Sequence, residues 1–120
     1  MMNAFERFGL LINDRIVKTP VGIASMAGIV DATYVLERAG HIGFAFIGGY
    51  SIDAPTMAAA RSLSAGGDRK EFLYEEPVQE LKTQIAKMEK SDVVLGINIR
   101  GSSPESFRSL AKSLGDSIIY

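Results

Sequence analysis

The chain has 120 residues, 47% of them hydrophobic and 22% charged, with 13 Lys plus Arg against 14 Asp plus Glu for a net charge of -1. Such a length suits one domain that buries roughly two thirds of its unfolded surface, and the composition excludes a disordered or fibrous chain. The near-neutral balance offers no general attraction to polyanions, and the absence of cysteine excludes disulfides, thiolate metal sites and a cysteine nucleophile within these residues. No apolar run approaches the roughly 18 residues of a membrane span, and Glu6 interrupts the first ten residues where a signal peptide is apolar. A cytoplasmic location without membrane association is therefore expected.

In chain order, GLLINDRIVK (9–18) places two short apolar runs around Asn13-Asp14, residues that tolerate a tight hairpin turn. Thr19-Pro20 punctuates the chain, because proline cannot donate to a ladder and extends its predecessor, and a strand is predicted over Val21–Ser25. Beyond Asp31, which is suited to cap a helix, Ala32, Val35, Leu36 and Ala39 keep one helical face up to Gly40. After His41-Ile42, GFAFIGGY (43–50) reads as a parallel strand covered on both faces. Asp53 followed by Pro55 opens an alanine-rich helix to about Leu63, and SAGGDRK (64–70) is the clearest loop. A helix is predicted from about Glu75 to Glu89, with Val78, Leu81, Ile85 and Met88 on its apolar stripe. DVVLGINI (92–99) reads as another buried strand, Gly101 to Pro104 as a turn and helix start, and Phe107, Leu110, Ala111 and Leu114 as the following helix face. DSIIY (116–120) reads as the start of a fourth strand.

Alternating strands and helices define an α/β fold with a parallel sheet, in one domain over residues 1–120. Such a sheet belongs to an open doubly wound fold or to a (β/α)8 barrel, and a complete barrel takes about 250 residues. IASMAGIVD (23–31) resembles the first strand and loop of the FMN-dependent dihydrouridine synthase barrels, with Ser25 where that family has proline before Met-Ala-Gly. The strand over 43–50 and VVLGINIRGSSPESF (93–107) agree with the same family in order and spacing. The hairpin before Thr19-Pro20-Val21 is equally similar to the dihydroorotate dehydrogenases, and the best fit is to archaeal dihydrouridine-synthase-related barrel proteins. The resemblance implies half of a (β/α)8 TIM barrel, with about four parallel strands behind an amino-terminal hairpin. It implies a fragment, because the family's catalytic cysteine and its flavin phosphate site lie on later strands.

Ligands of parallel α/β folds gather at the carboxyl ends of the strands. There, Ser25, Met26, Ala27 and Gly28 leave backbone groups accessible to a flat ring, or simply let the next helix pack tightly. The resemblance makes this loop a flavin contact. It also places Asn98 where the dihydrouridine synthases have a flavin-contacting glutamine, one methylene longer; the alternative is an amide satisfied within the barrel. Gly48-Gly49 either clears space above the ring or makes a tight turn. The implied cofactor is FMN and the implied activity is hydride transfer between the flavin and a uridine or other pyrimidine, with tRNA as a partner of the full-length relative. A dihydroorotate-dehydrogenase-like enzyme and a non-catalytic homo-oligomer that pairs its exposed strand edges are the alternatives. No phosphate loop is present, and His41 has no second imidazole with which to hold a metal. Arg61, Arg69, Lys70, Lys82, Lys87 and Lys90 are interspersed with Glu71, Glu75, Glu76, Glu80 and Glu89, as on a solvated surface.

Overall fold

Two short strands, β1 (Leu11–Ile12) and β2 (Arg15–Ile16), pair antiparallel in the computed structural model, which describes residues 10–115 apart from 13 and 68. Asp14 has φ 64°, the left-handed conformation that a tight turn demands of a residue able to adopt it. Asn13 and the expected strand over 116–120 lie outside the described residues. The hairpin leads through Val17, fully buried, to β3 (Gly22–Ile23).

Strands β3, β4 (Phe44–Ser51) and β5 (Val94–Arg100) form a parallel three-stranded sheet in that order. The molecule is thus a mixed α/β structure. Along β4 the two faces differ: Ala45 and Ile47 are fully buried, whereas Phe46 between them is 47% exposed. Both Phe44 and Phe46 lie over glycines of the adjoining strands, where a side chain on Gly22 or Gly96 would run into their rings. Expected coverage on both faces is therefore met on one face only among the described residues. At the amino end of the sheet, the Lys18 ammonium donates to the Ala39 carbonyl at 2.6 Å and to Asp92 Oδ1 at 2.8 Å, tying the lead-ins of the three strands together.

Helices α1 (Ala32–Leu36), α2 (Ala54–Ala65), α3 (Pro77–Met88) and α4 (Pro104–Leu114) complete the fold. Asp31, Asp53 and Ser103 each accept a backbone N–H from the first turn of the helix they precede, satisfying a donor that the helix cannot pair internally. Helix α1 stops at Leu36, short of the expected Gly40, and a 3-10 turn over Ala39–His41 completes the link to β4. The core joins Val35 of α1, Leu81 and Met88 of α3, and Leu110 and Leu114 of α4 to Ala45 and Ile47. By contrast, α2 fully buries Ala60 alone, and its capping residue Asp53 also accepts from Ser102 and Ser106 beyond β5.

The buried stripe of α3 runs through Leu81, Gln84 and Met88, so a glutamine takes a place in the core while Ile85 is half-buried. Gln84 Oε1 accepts the Ala32 N–H at 2.8 Å, and its Nε2 donates to Glu80 Oε1 at 2.8 Å. The amide thereby satisfies a buried donor at the start of α1, which would otherwise cost about 1–3 kcal/mol. No helix among the described residues is long and apolar enough to cross a membrane.

Candidate functional site

The loop after β3 and the ends of β4 and β5 bring several of the expected residues together. Asn98 Nδ2 donates to Ser25 Oγ at 2.9 Å, across 73 residues of sequence. Gly48 is the ladder partner of Asn98, and its own N–H donates to the Val30 carbonyl at 3.0 Å. At φ +109°, Gly48 occupies a backbone region that side chains disfavour, and a Cβ there would run into the Asn98 carbonyl. Ser25 is half-buried and Asn98 exposed, so the hydroxyl proton of Ser25 and the carbonyl oxygen of Asn98 stay available to a ligand. Met26 projects beside them, 56% exposed.

Gly28 serves packing within the chain itself. It has φ +74°, and a Cβ would lie 2.6 Å from Lys70 Cβ and 2.7 Å from the Glu71 nitrogen. The segment 69–74 thus crosses against the Met26–Gly28 loop and then follows the end of β4, where Phe72 makes a parallel bridge to Tyr50. The Tyr50, Phe72 and Tyr74 rings stack in sequence, with centroids 4.9 Å apart for Tyr50 and Phe72 and 6.0 Å for Phe72 and Tyr74. Burial, followed by the charges of Tyr74, Asp31 and Glu80, pushes the Tyr50 phenol well above its usual value, which keeps it neutral.

Glu71, expected on a solvated face, is fully buried by side chain. Arg100 Nη2 donates to Glu71 Oε2 at 2.6 Å and to the Gly49 carbonyl at 3.2 Å, joining the crossing segment to β4 and β5. The Arg69 guanidinium stands 3.5 Å from Glu71 Oε1. Neither Arg100 nor the burial of Glu71 is evident from the sequence. The only local signal is that Glu71 precedes the apolar run Phe72-Leu73-Tyr74.

A second polar knot lies between the ends of β4 and β5. Asp53 Oδ2 accepts from the Ser102 N–H at 2.6 Å, Ser102 Oγ at 2.8 Å and Ser106 Oγ at 2.7 Å, while Oδ1 accepts from Thr56 N and Oγ1. These bonds, the Ser102 backbone donor first, hold the Asp53 carboxyl far below the usual carboxylate range. A depressed folded-state pKa contributes stability that is complete above the unfolded value, about 3.9, and is lost as pH falls through the folded value. Between pH 6 and pH 2, thermal unfolding of Asp53→Asn is expected to lose less midpoint temperature than the parent chain. Equal acid sensitivity of the two would contradict this assignment.

His41 is exposed in the 3-10 turn, and no group of residues able to hold a metal ion occurs among the described residues. Lys82 and Lys87 are exposed on α3, and Arg61 on α2. The arrangement is that of an α/β sheet with a small polar cluster at its carboxyl ends. Over 82 residues, 67% of the chain, it is 34% identical to an uncharacterized protein of Methanocaldococcus jannaschii, and the match spans 31% of that protein's length. No protein-family model and no solved structure matches the chain.

Proposed function

We propose that the chain is part of an FMN-binding (β/α)8 barrel of the dihydrouridine synthase type, with Ser25, Met26, Ala27, Gly28, Gly48 and Asn98 on one side of the flavin ring site. The observation that carries this reading is the Ser25–Asn98 hydrogen bond beside Gly48, which joins the loop after β3 to β5 across the carboxyl half of β4 in the parallel sheet. The bare sheet face with Phe44 and Phe46 suits the interior side of a partial barrel, which later strands would cover. The residues fit the cofactor: Asn98 presents an acceptor and Ser25 a donor, which match the alternating polar edge of a flavin, while Met26 supplies an apolar surface. When bound, FMN would supply hydride transfer to or from a uridine or other pyrimidine, whether free or within tRNA. A dihydroorotate-dehydrogenase-like reaction would share this ring site.

Titration of the purified chain with riboflavin tests the reading. Saturable quenching of flavin fluorescence is expected, with affinity at least tenfold weaker in Asn98→Ala. A flavin spectrum unaltered at millimolar protein would overturn it. The exposed Phe46 and Met26 also favour a second reading, the non-catalytic homo-oligomer that pairs exposed strand edges, and a monomeric mass by light scattering would remove that reading.

A further inference from the structure

We propose that Arg69 and Lys70 form a binding site for an oxyanion, a phosphate or carboxylate borne by a small ligand that rests against Met26 and Ala27. A cavity of about 350 Å³ lies at the carboxyl end of β3, lined by Met26, Ala27, Ile29, Arg69 and Lys70. One wall is apolar and the other carries two cations. That volume is within the range of small-molecule sites, and its place at the strand ends is where α/β folds gather ligands.

The two cations are placed by the fold rather than carried on a free loop. Lys70 Cβ and the Glu71 nitrogen pack against Gly28, where no side chain would fit, and the buried Glu71 is anchored to Arg100. Glu71 engages only part of the neighbouring charge. Its Oε2 is engaged by Arg100, and its buried Oε1 has no hydrogen-bond donor, with the Arg69 guanidinium at 3.5 Å. Arg69, 58% exposed, therefore keeps most of its planar donor set for an oxyanion, a geometry that guanidinium matches with paired bonds. Arg69 and Arg100 flank the single carboxylate of Glu71, while Lys70 lines the cavity and has no ion pair among the described residues, so an anion between Arg69 and Lys70 would meet positive charge on both sides.

Inorganic phosphate, titrated at constant ionic strength and followed by amide chemical shifts, is the direct probe. Saturable shifts at residues 26–29 and 69–70 are expected, with affinity at least tenfold weaker in R69Q and in K70Q. Lys70 is exposed and has no ion pair among the described residues, so K70Q is expected to keep the parent unfolding midpoint in phosphate-free buffer, whereas R69Q, which also removes the cation beside Glu71 Oε1, is titrated at a temperature where its own unfolding curve shows it folded. A second arm compares FMN with riboflavin to locate the source of the anion. Tighter FMN binding, erased by either substitution, assigns the site to the flavin's own phosphate. Equal flavin affinities alongside phosphate binding assign it to a second, anionic ligand. Phosphate binding without any flavin binding leaves this site standing and removes the flavin reading. Absence of saturable phosphate binding, or binding unchanged in both variants, would overturn the proposal.

Discussion

Tyr50→Ala is expected to destabilise the chain by about 3–5 kcal/mol, the range for removing a large buried aromatic from a core. The ring is 1% exposed, stacks on Phe72 and contributes to the cluster formed by β4, α1 and α3. Losing it would leave a cavity and unseat the segment that carries Arg69 and Lys70. Tyr50→Phe separates the ring from the hydroxyl. The phenolic oxygen is buried without a hydrogen-bond partner, so removing it is expected to leave stability equal or raise it by about 1 kcal/mol. Urea unfolding of the two variants checks both figures, and a Tyr50→Phe loss above about 1 kcal/mol would reveal a partner for the hydroxyl.

The second large effect concerns the buried ion pair. Arg100→Met leaves the Glu71 carboxylate buried with Arg69 alone nearby, and also removes the donor to the Gly49 carbonyl. Breaking a buried pair on one side costs about 3–5 kcal/mol, and because Arg100 is itself 34% exposed the expected loss is nearer 2–3 kcal/mol. Neutralising the carboxylate as well should recover part of it. Arg100→Met combined with Glu71→Gln is therefore expected to be more stable than Arg100→Met alone. A cycle whose two substitutions simply add would show that the contact has no energetic weight.

The helix starts were legible because caps act over three or four residues. Asp31, Asp53 and Pro55 declare their roles within a window that a reader of sequence can scan. The strand over 43–50 was likewise visible from its apolar run. Periodicity failed at Gln84, where 3.6-residue spacing named the correct face of α3 but hydrophobicity favoured Ile85 for a place that hydrogen bonding gives to an amide. It failed again at Glu71, since a carboxylate among Arg69, Lys70, Glu75 and Glu76 looks solvated until Arg100, 29 residues later, is known to meet it. Ser25 and Asn98 were each legible as residues at strand ends. Their mutual hydrogen bond was not, because it reaches across β4, and nothing within either segment encodes how β3 and β5 align on the strand between them. Gly28 suits either an opening to a ring or a packing device by its sequence context, and in the fold its Cα faces Lys70 Cβ and the backbone of residues 70 and 71.

The Gln84 amide has a consequence for the order in which the molecule assembles. Helix α1 has 5 residues, far below the roughly 12–15 at which an isolated helix becomes marginally stable in water. Its first buried N–H finds an acceptor only on a helix that begins 45 residues downstream, at Pro77. The first βα unit therefore completes its hydrogen bonding only with α3 docked against it, although it is synthesised earlier. In this chain the amino-terminal segment depends on its successor for the acceptor of its first helical N–H.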